Sequence, residues 1–171
     1  MTEMVNVGVA ELKCSDSSCI LASFGLGSCV AVAMYDPLRK VAGLAHVLLP
    51  DSRGKEQPEG SRGKFADTAV PKLVDELIKM GARKQGLKCK IVGGAQMFEI
   101  PGAQRKESNL AVGPPAHIGA RNIEAVKNEL ATMKIPLIGE DTGGNYGRTV
   151  KFNSTNGEVE VSSIFHGRTV L

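Results

Sequence analysis

Cys29-Val30-Ala31-Val32-Ala33-Met34-Tyr35-Asp36-Pro37-Leu38-Arg39-Lys40-Val41-Ala42-Gly43-Leu44-Ala45-His46-Val47 is the stretch on which the reading of this chain turns. Two β-rich apolar runs flank Asp36-Pro37-Leu38-Arg39, and Asp then Pro at the first two positions favours a type I turn, the usual basis of a four-residue hairpin loop. Closing that loop pairs Tyr35 with Lys40 and, counted back along both strands, sets Cys29 opposite His46. Directly opposed side chains share a face with Cβ atoms about 4.5 to 5.5 Å apart. A slip of one residue would send them to opposite faces. A cysteine and a histidine held this way can make a nucleophile: the imidazole removes the thiol proton and the thiolate attacks carbonyl carbon. Gly27-Ser28, just before the cysteine, reads as a flexible turn whose N–H groups can meet a substrate oxygen, as an oxyanion hole requires. Taken singly, Cys29 reads as a small buried hydrophobe and His46 as a core histidine bonded to backbone. Their pairing changes the reading.

Around the hairpin, Val5 to Lys13 alternates valines with polar or small residues and predicts a strand, and Ile20 to Phe24 predicts another that ends at Gly25 and Gly27. Pro50 stops the hairpin after Leu49. Asp51 to Lys64 contains no apolar residue, so it predicts a mobile surface loop following the strand of His46. Phe65 to Met80 carries Ala66, Ala69, Val70, Leu73, Val74, Leu77 and Ile78 at helical spacing, with Pro71 as an irregularity and Gly81 as a stop. Lys88 to Val92 predicts a buried strand broken by Gly93-Gly94. No Lys-Ser/Thr follows these glycines, which excludes a nucleotide-binding P-loop and favours close packing of backbone there. Ile118 to Met133 predicts a second long helix through Ile123, Val126, Leu130 and Met133. Leu137 to Asp141 begins a strand, and Arg148 to Phe152 with Glu158 to Phe165 forms a closing hairpin across Asn156-Gly157. Strands dominate and two long helices interrupt them. The expected fold is α+β, a single layered domain over 1–171 with a mostly antiparallel or mixed sheet core flanked by the helices.

The whole-chain numbers set outer bounds. At 171 residues, with 42% hydrophobic and 23% charged, the chain can bury a core without metals or disulfides. Only 4% of residues are aromatic and Trp is absent, so that core is aliphatic. A formal charge of +3 with scattered basic residues does not favour nucleic-acid binding. No run approaches the roughly 18 apolar residues of a transmembrane helix, and Met1 to Leu12 lacks the pattern of a signal peptide, so a cytoplasmic location without membrane insertion is expected. Cys14, Cys19, Cys29 and Cys89 include no CxxC pair, so a metal site is not favoured; free thiols are expected, exposed at Cys14 and Cys19, where a local disulfide is the alternative.

The third member of a triad must accept a hydrogen bond from the other imidazole nitrogen. Ser23, at the end of the preceding strand, is the nearest polar candidate; its alternative is a hydroxyl bonded locally. His117 and His166 have no partner implied by the sequence and read as structural or exposed.

Several motifs in order resemble the chemoreceptor glutamine deamidases of bacterial and archaeal chemotaxis, the CheD family. They are Leu26-Gly27-Ser28-Cys29-Val30 with Tyr35-Asp36-Pro37 and Ala45-His46; Ile91-Val92-Gly93-Gly94-Ala95-Gln96-Met97-Phe98; Ile118-Gly119-Ala120-Arg121-Asn122; and Asp141-Thr142-Gly143-Gly144 with Gly147-Arg148. The resemblance implies a cofactor-free cysteine hydrolase that converts glutamines of methyl-accepting chemoreceptor cytoplasmic domains to glutamates. It implies a fold similar to the cytotoxic-necrotising-factor-like deamidases and a Cys-His-Thr triad. Cys29 and His46 match nucleophile and base. The family's threonine falls on Ser23, a departure that keeps the hydroxyl and loses the methyl that restricts its rotamer. Arg53, Lys55, Arg62 and Lys64 of the polar loop, with Phe98, are candidate docking residues for the acidic receptor helices or a protein partner. The alternative function is a binding module that activates a CheC-type response-regulator phosphatase, and a third is hydrolysis of another amide or ester.

Overall fold

The computed structural model of the chain describes residues 2–97 and 117–171. In chain order the elements are β1 (Glu3–Asn6), β2 (Leu12–Ser15), β3 (Cys19–Leu26), β4 (Val30–Asp36), β5 (Val41–Val47), α1 (Ala66–Lys79), β6 (Lys88–Gly93), α2 (Ile118–Thr132), β7 (Leu137–Thr142), β8 (Arg148–Asn153), β9 (Val159–Ser163) and β10 (Gly167–Val170). Two five-stranded mixed sheets result, one ordered β1-β3-β8-β9-β10 and the other β2-β5-β4-β6-β7. The α+β class expected from the sequence is what the chain adopts.

The β4–β5 hairpin lies at the middle of three layers. Val30, Val32 and Met34 of β4, with Val41, Ala45 and Val47 of β5, pack on Ala69, Val70, Leu73 and Leu77 of α1 and on Val126 and Leu130 of α2. The alternate residues Ala31, Ala33, Ala42 and Leu44 pack instead on Leu21, Leu26, Val150, Phe152 and Val161 of the other sheet. Both faces of β5 are therefore covered and all seven of its residues are buried, which explains a strand written without polar alternation. The outer sheet has one wet face, and β8 alternates strictly between buried and half-buried positions. Each fully buried Leu or Val contributes about 1.5–3 kcal/mol of transfer free energy.

The helices follow the predicted apolar periodicity except at Ile78, which faces solvent. Pro71 is accommodated inside α1, whose buried stripe runs unbroken from Ala66 to Leu77. Gly43 allows this helix to sit on β5, since a Cβ there would stand 2.7 Å from Leu73 Cδ1. The single strand expected over Val5 to Lys13 is instead two strands in different sheets. The chain turns between them with Ala10 at φ 67°. β10, an exposed four-residue edge strand on β9, extends the outer sheet past the expected closing hairpin.

Candidate active site

The hairpin forms where the sequence places it, but its register corrects the expected opposition. Asp36 pairs with Val41, and His46 faces Ala31 where Cys29 was expected. The loop is again four residues long, moved on by one so that Lys40 enters it at φ 53°. Asp36 holds this arrangement: its carbonyl accepts from Lys40 N at 2.8 Å, and its carboxylate accepts from Leu38 N at 3.0 Å and Arg39 N at 3.2 Å. The resulting displacement is by two residues, and side chains repeat with period two, so the face is conserved. Cys29, one residue before β4, and His46 fall on the face turned to the outer sheet, and a ladder continued past Val30 would relate them as diagonal neighbours, about 7–8 Å apart.

Cys29 is 8% exposed, His46 1% and Ser23 0%. The His46 Nδ1 lies 3.2 Å from the Val7 carbonyl oxygen. A carbonyl can only accept, so Nδ1 carries the proton and Nε2 presents a lone pair. Nε2 is buried and has no hydrogen-bond partner among the described residues. Ser23 Oγ donates to the same Val7 oxygen at 2.8 Å. Serine and imidazole thus converge on one backbone acceptor. Val7 is placed by its own N–H, bonded to Ala22 O at 2.7 Å, and by the Gly8 to Glu11 turn, which Glu11 closes by accepting from Gly8 N at 2.7 Å.

Electrostatics keep the pair neutral at rest. Burial pushes the Cys29 thiol up from its ordinary value, against a smaller opposing effect of its own backbone N–H. Burial also pulls the His46 imidazole down, outweighing the Val7 hydrogen bond and the Glu11 carboxylate, both of which favour the proton.

The turn that carries Cys29 is tied down through its carbonyls. Gly27 O accepts from Ala95 N at 2.8 Å, Ser28 O from Asn122 Nδ2 at 2.9 Å, and Cys29 O from Gly94 N at 2.8 Å. Gly93 must be glycine for this: φ is 115° and a Cβ would stand 2.2 Å from Cys29 O. The close backbone packing expected of Gly93-Gly94 is present. Every peptide here is trans, so each N–H points away from the preceding carbonyl. The N–H groups of Ser28 and Cys29 therefore point away from the anchors that hold Gly27 O and Ser28 O.

Arg148 braces the floor. Only 3% exposed, it donates through Nε and Nη2 to Asp141 Oδ1 at 3.2 and 3.1 Å, and through Nη1 to Gly143 O at 2.7 Å. Gly143 N in turn bonds Gly93 O at 2.9 Å. Sequence reasoning assigned no role to Val7, Asn122 or Arg148. A backbone carbonyl leaves no side-chain signal, but a polar residue on a helix's apolar stripe and an arginine at an inward strand position are readable ones.

The polar loop is anchored at both ends. Ser52 bonds the Asp67 carboxylate through N at 3.0 Å and Oγ at 2.8 Å, while Lys64 O accepts from Leu48 N and Leu49 N at 3.0 and 2.9 Å. Arg62 is paired with Glu76 at 3.3 Å, and Lys64 Nζ lies 5.3 Å from the centroid of the Phe65 ring. Arg53 and Lys55 are exposed and form no ion pair among the described residues. Phe98 lies outside the described residues. His117 precedes α2 with Nδ1 3.1 Å from Gln96 Oε1, and His166 stacks on Tyr146 at 3.8 Å. Among the described residues neither forms a hydrogen bond with Ser23, Cys29 or His46. All four cysteines are free, with Cys14 half-buried and Cys19 buried where exposure was expected, and among the described residues no helix is long and apolar enough to cross a membrane.

Fold and site define an α+β protein of two stacked mixed sheets and two helices, with a buried cysteine and a buried histidine on one face of its central hairpin. The profile of the family described as CheD chemotactic sensory transduction matches residues 48–163. The chain is 41% identical over 171 residues to the probable chemoreceptor glutamine deamidase CheD of Desulfitobacterium hafniense, covering 100% of each chain. It is 45% identical over 161 residues to the chemoreceptor glutamine deamidase CheD of Thermotoga maritima, covering 94% of this chain and 92% of that one. A solved structure, the hypothetical protein YfiH of Bacillus licheniformis, aligns with TM-score 0.46 and 18% identity over 76% of this chain and 49% of that chain. The chain belongs to the CheD family.

Proposed function

We propose that the chain is a chemoreceptor glutamine deamidase in which Cys29 is the nucleophile and His46 the base. The observation that carries the reading is the His46 ring, its Nδ1 held by the Val7 carbonyl and its Nε2 left free on the face that it shares with Cys29.

His46 Nε2 takes the Cys29 proton as Sγ attacks the carboxamide carbon of a receptor glutamine. The oxygen becomes an oxyanion, and the Ser28 and Cys29 N–H groups, opposite the anchored carbonyls, donate to it. The imidazolium then gives its proton to the departing nitrogen, ammonia leaves, and a thioester joins Cys29 to the substrate. Water enters, His46 accepts one of its protons, and collapse of the second tetrahedral intermediate releases glutamate. The proton held by His46 returns to the thiolate. Ser23 acts through the Val7 carbonyl that both groups share, orienting the ring without touching substrate. Arg53 and Lys55, the loop cations without an ion pair among the described residues, draw the acidic receptor surface toward the site.

The test is ammonia release from a purified chemoreceptor cytoplasmic fragment. Release by the wild-type protein and its loss in Cys29→Ala and His46→Ala support the reading. Undiminished release by a folded Cys29→Ala protein overturns it.

A further inference from the structure

Asn122 is buried completely, in the middle of the buried stripe Gly119, Asn122, Val126, Leu130 of α2. Its Nδ2 spends both protons on backbone carbonyls of two different segments, Ser28 O at 2.9 Å and Leu48 O at 3.0 Å. Ser28 immediately precedes the nucleophile. Leu48 follows His46 by two residues, just past the end of β5. No other side chain among the described residues bonds both segments, and the β4–β5 ladder ends at Val30 and Val47, short of either carbonyl.

We infer that Asn122 is a positioning residue for the deamidase reaction: one amide group fixes the separation of nucleophile turn and base strand at the open end of their hairpin. This deepens the function proposed above and rests on it. The chemistry requires this residue type. Two acceptors must be met by two donors on one short side chain, which the Asn carboxamide supplies and a carboxylate cannot. The helix can carry it so close because Gly119, one turn earlier, has no Cβ; one there would stand 2.5 Å from both Gly94 O and Ala95 O. Those two residues are also the ones whose N–H groups hold Cys29 O and Gly27 O. One face of α2 thus meets the nucleophile turn directly through Asn122 and indirectly through the backbone under Gly119. The Asn122 Oδ1 is buried without a partner among the described residues.

Release of the clamp frees the residues just before β4 and just after β5 to splay. Misplacing a reacting group by about 1 Å can cost about 100-fold in rate. In Asn122→Ala and in the isosteric Asn122→Asp, kcat is expected to fall about 10- to 100-fold while KM stays within about threefold, because no substrate contact is lost. The two variants differ in pH dependence. The Asn122→Asp carboxyl, buried beside two carbonyls, regains one donor when it is protonated, so its rate relative to wild type recovers on the acid side. Asn122→Ala shows no such recovery.

The experiment measures kcat, KM and their pH profiles on the full chain for both variants, with Leu130→Ala as a control on the same buried stripe. Rates of Cys29 alkylation by iodoacetamide are recorded in parallel. A reduced kcat with a steady KM, the acid-side recovery in Asn122→Asp alone, and a normal kcat for folded Leu130→Ala support the inference. Unchanged kcat in folded Asn122→Ala, or an equal loss in Leu130→Ala, overturns it. If neither variant folds, Asn122→Ser, which keeps one donor, carries the same comparison, and a wild-type kcat in that variant also overturns it. Alkylation needs no glutamine substrate. A wild-type protein without deamidase activity defeats the proposed function, while an Asn122→Ala alkylation profile equal to wild type defeats the clamp.

Discussion

Removing the Ser23 hydroxyl gives the sharpest test of how His46 is oriented. Ser23 is fully buried, and its Oγ donates to Val7 O at 2.8 Å, the same oxygen that faces His46 Nδ1 at 3.2 Å. In Ser23→Ala the carbonyl keeps the imidazole as a partner, so no buried polar group is stranded. The cost is then that of one neutral hydrogen bond, about 0.5–1.5 kcal/mol. In a chain of this size about 1 kcal/mol moves the melting midpoint by about 2–4 °C. Because the hydroxyl acts on the ring only through Val7, the same energy bounds its effect on the reaction. Turnover is expected to fall about 2- to 12-fold, with KM unchanged. His46→Ala removes the base itself and is expected to cost about 100- to 10,000-fold. Ser23→Thr keeps the donor and adds the methyl that restricts its rotamer, so it retains at least wild-type kcat if the protein folds. The assay is steady-state ammonia release beside thermal unfolding of each variant. A Ser23→Ala loss as deep as that of His46→Ala would show direct contact between serine and imidazole and refute the shared-carbonyl arrangement.

Gly93→Ala should lower turnover more than it lowers the melting midpoint, since its Cβ would meet Cys29 O at 2.2 Å and push the nucleophile turn itself; activity and unfolding measured together decide this. Burial raises the Asp36 carboxyl, but the N–H groups of Arg83, Arg39 and Leu38 win and its value in the fold is depressed. Its stabilisation is therefore present above the unfolded carboxylate pKa and lost as pH falls through the folded one. Asp36→Asn should flatten that acid limb of stability, as followed by denaturant midpoints against pH. Alkylation of Cys29 by iodoacetamide should climb steadily with pH through neutrality, as a neutral pair requires. A plateau on the acid side would mark a thiolate–imidazolium pair instead. Reversing the charge of Arg53 and Lys55 together should raise KM at low salt and lose that effect at high salt.

The β4–β5 hairpin shows how far sequence carries the site. Turn residues and apolar runs placed both strands, and period two put Cys29 and His46 on one face. Their direct opposition failed because Asp36 is held as the last paired residue by bonds that include Arg83 N at 2.9 Å, a contact from far along the chain. The α1 and α2 stripes were readable from spacing alone. The break between β1 and β2 was not: Gly8 reads as one small residue of an alternating strand, and the positive φ falls on Ala10, which carries no such signal. The Val7 carbonyl was invisible for a different reason: any residue there supplies it. Asn122 was visible as a polar residue on an apolar stripe, and only its two carbonyl partners show what it holds.

Peptide mapping by mass spectrometry of a chemoreceptor cytoplasmic fragment incubated with the protein tests the central claim most directly. A gain of about one dalton at particular glutamines, produced by the wild-type chain and absent with folded Cys29→Ala, is the predicted result. The same gain with Cys29→Ala, or no gain at any glutamine with the wild-type chain, would contradict it.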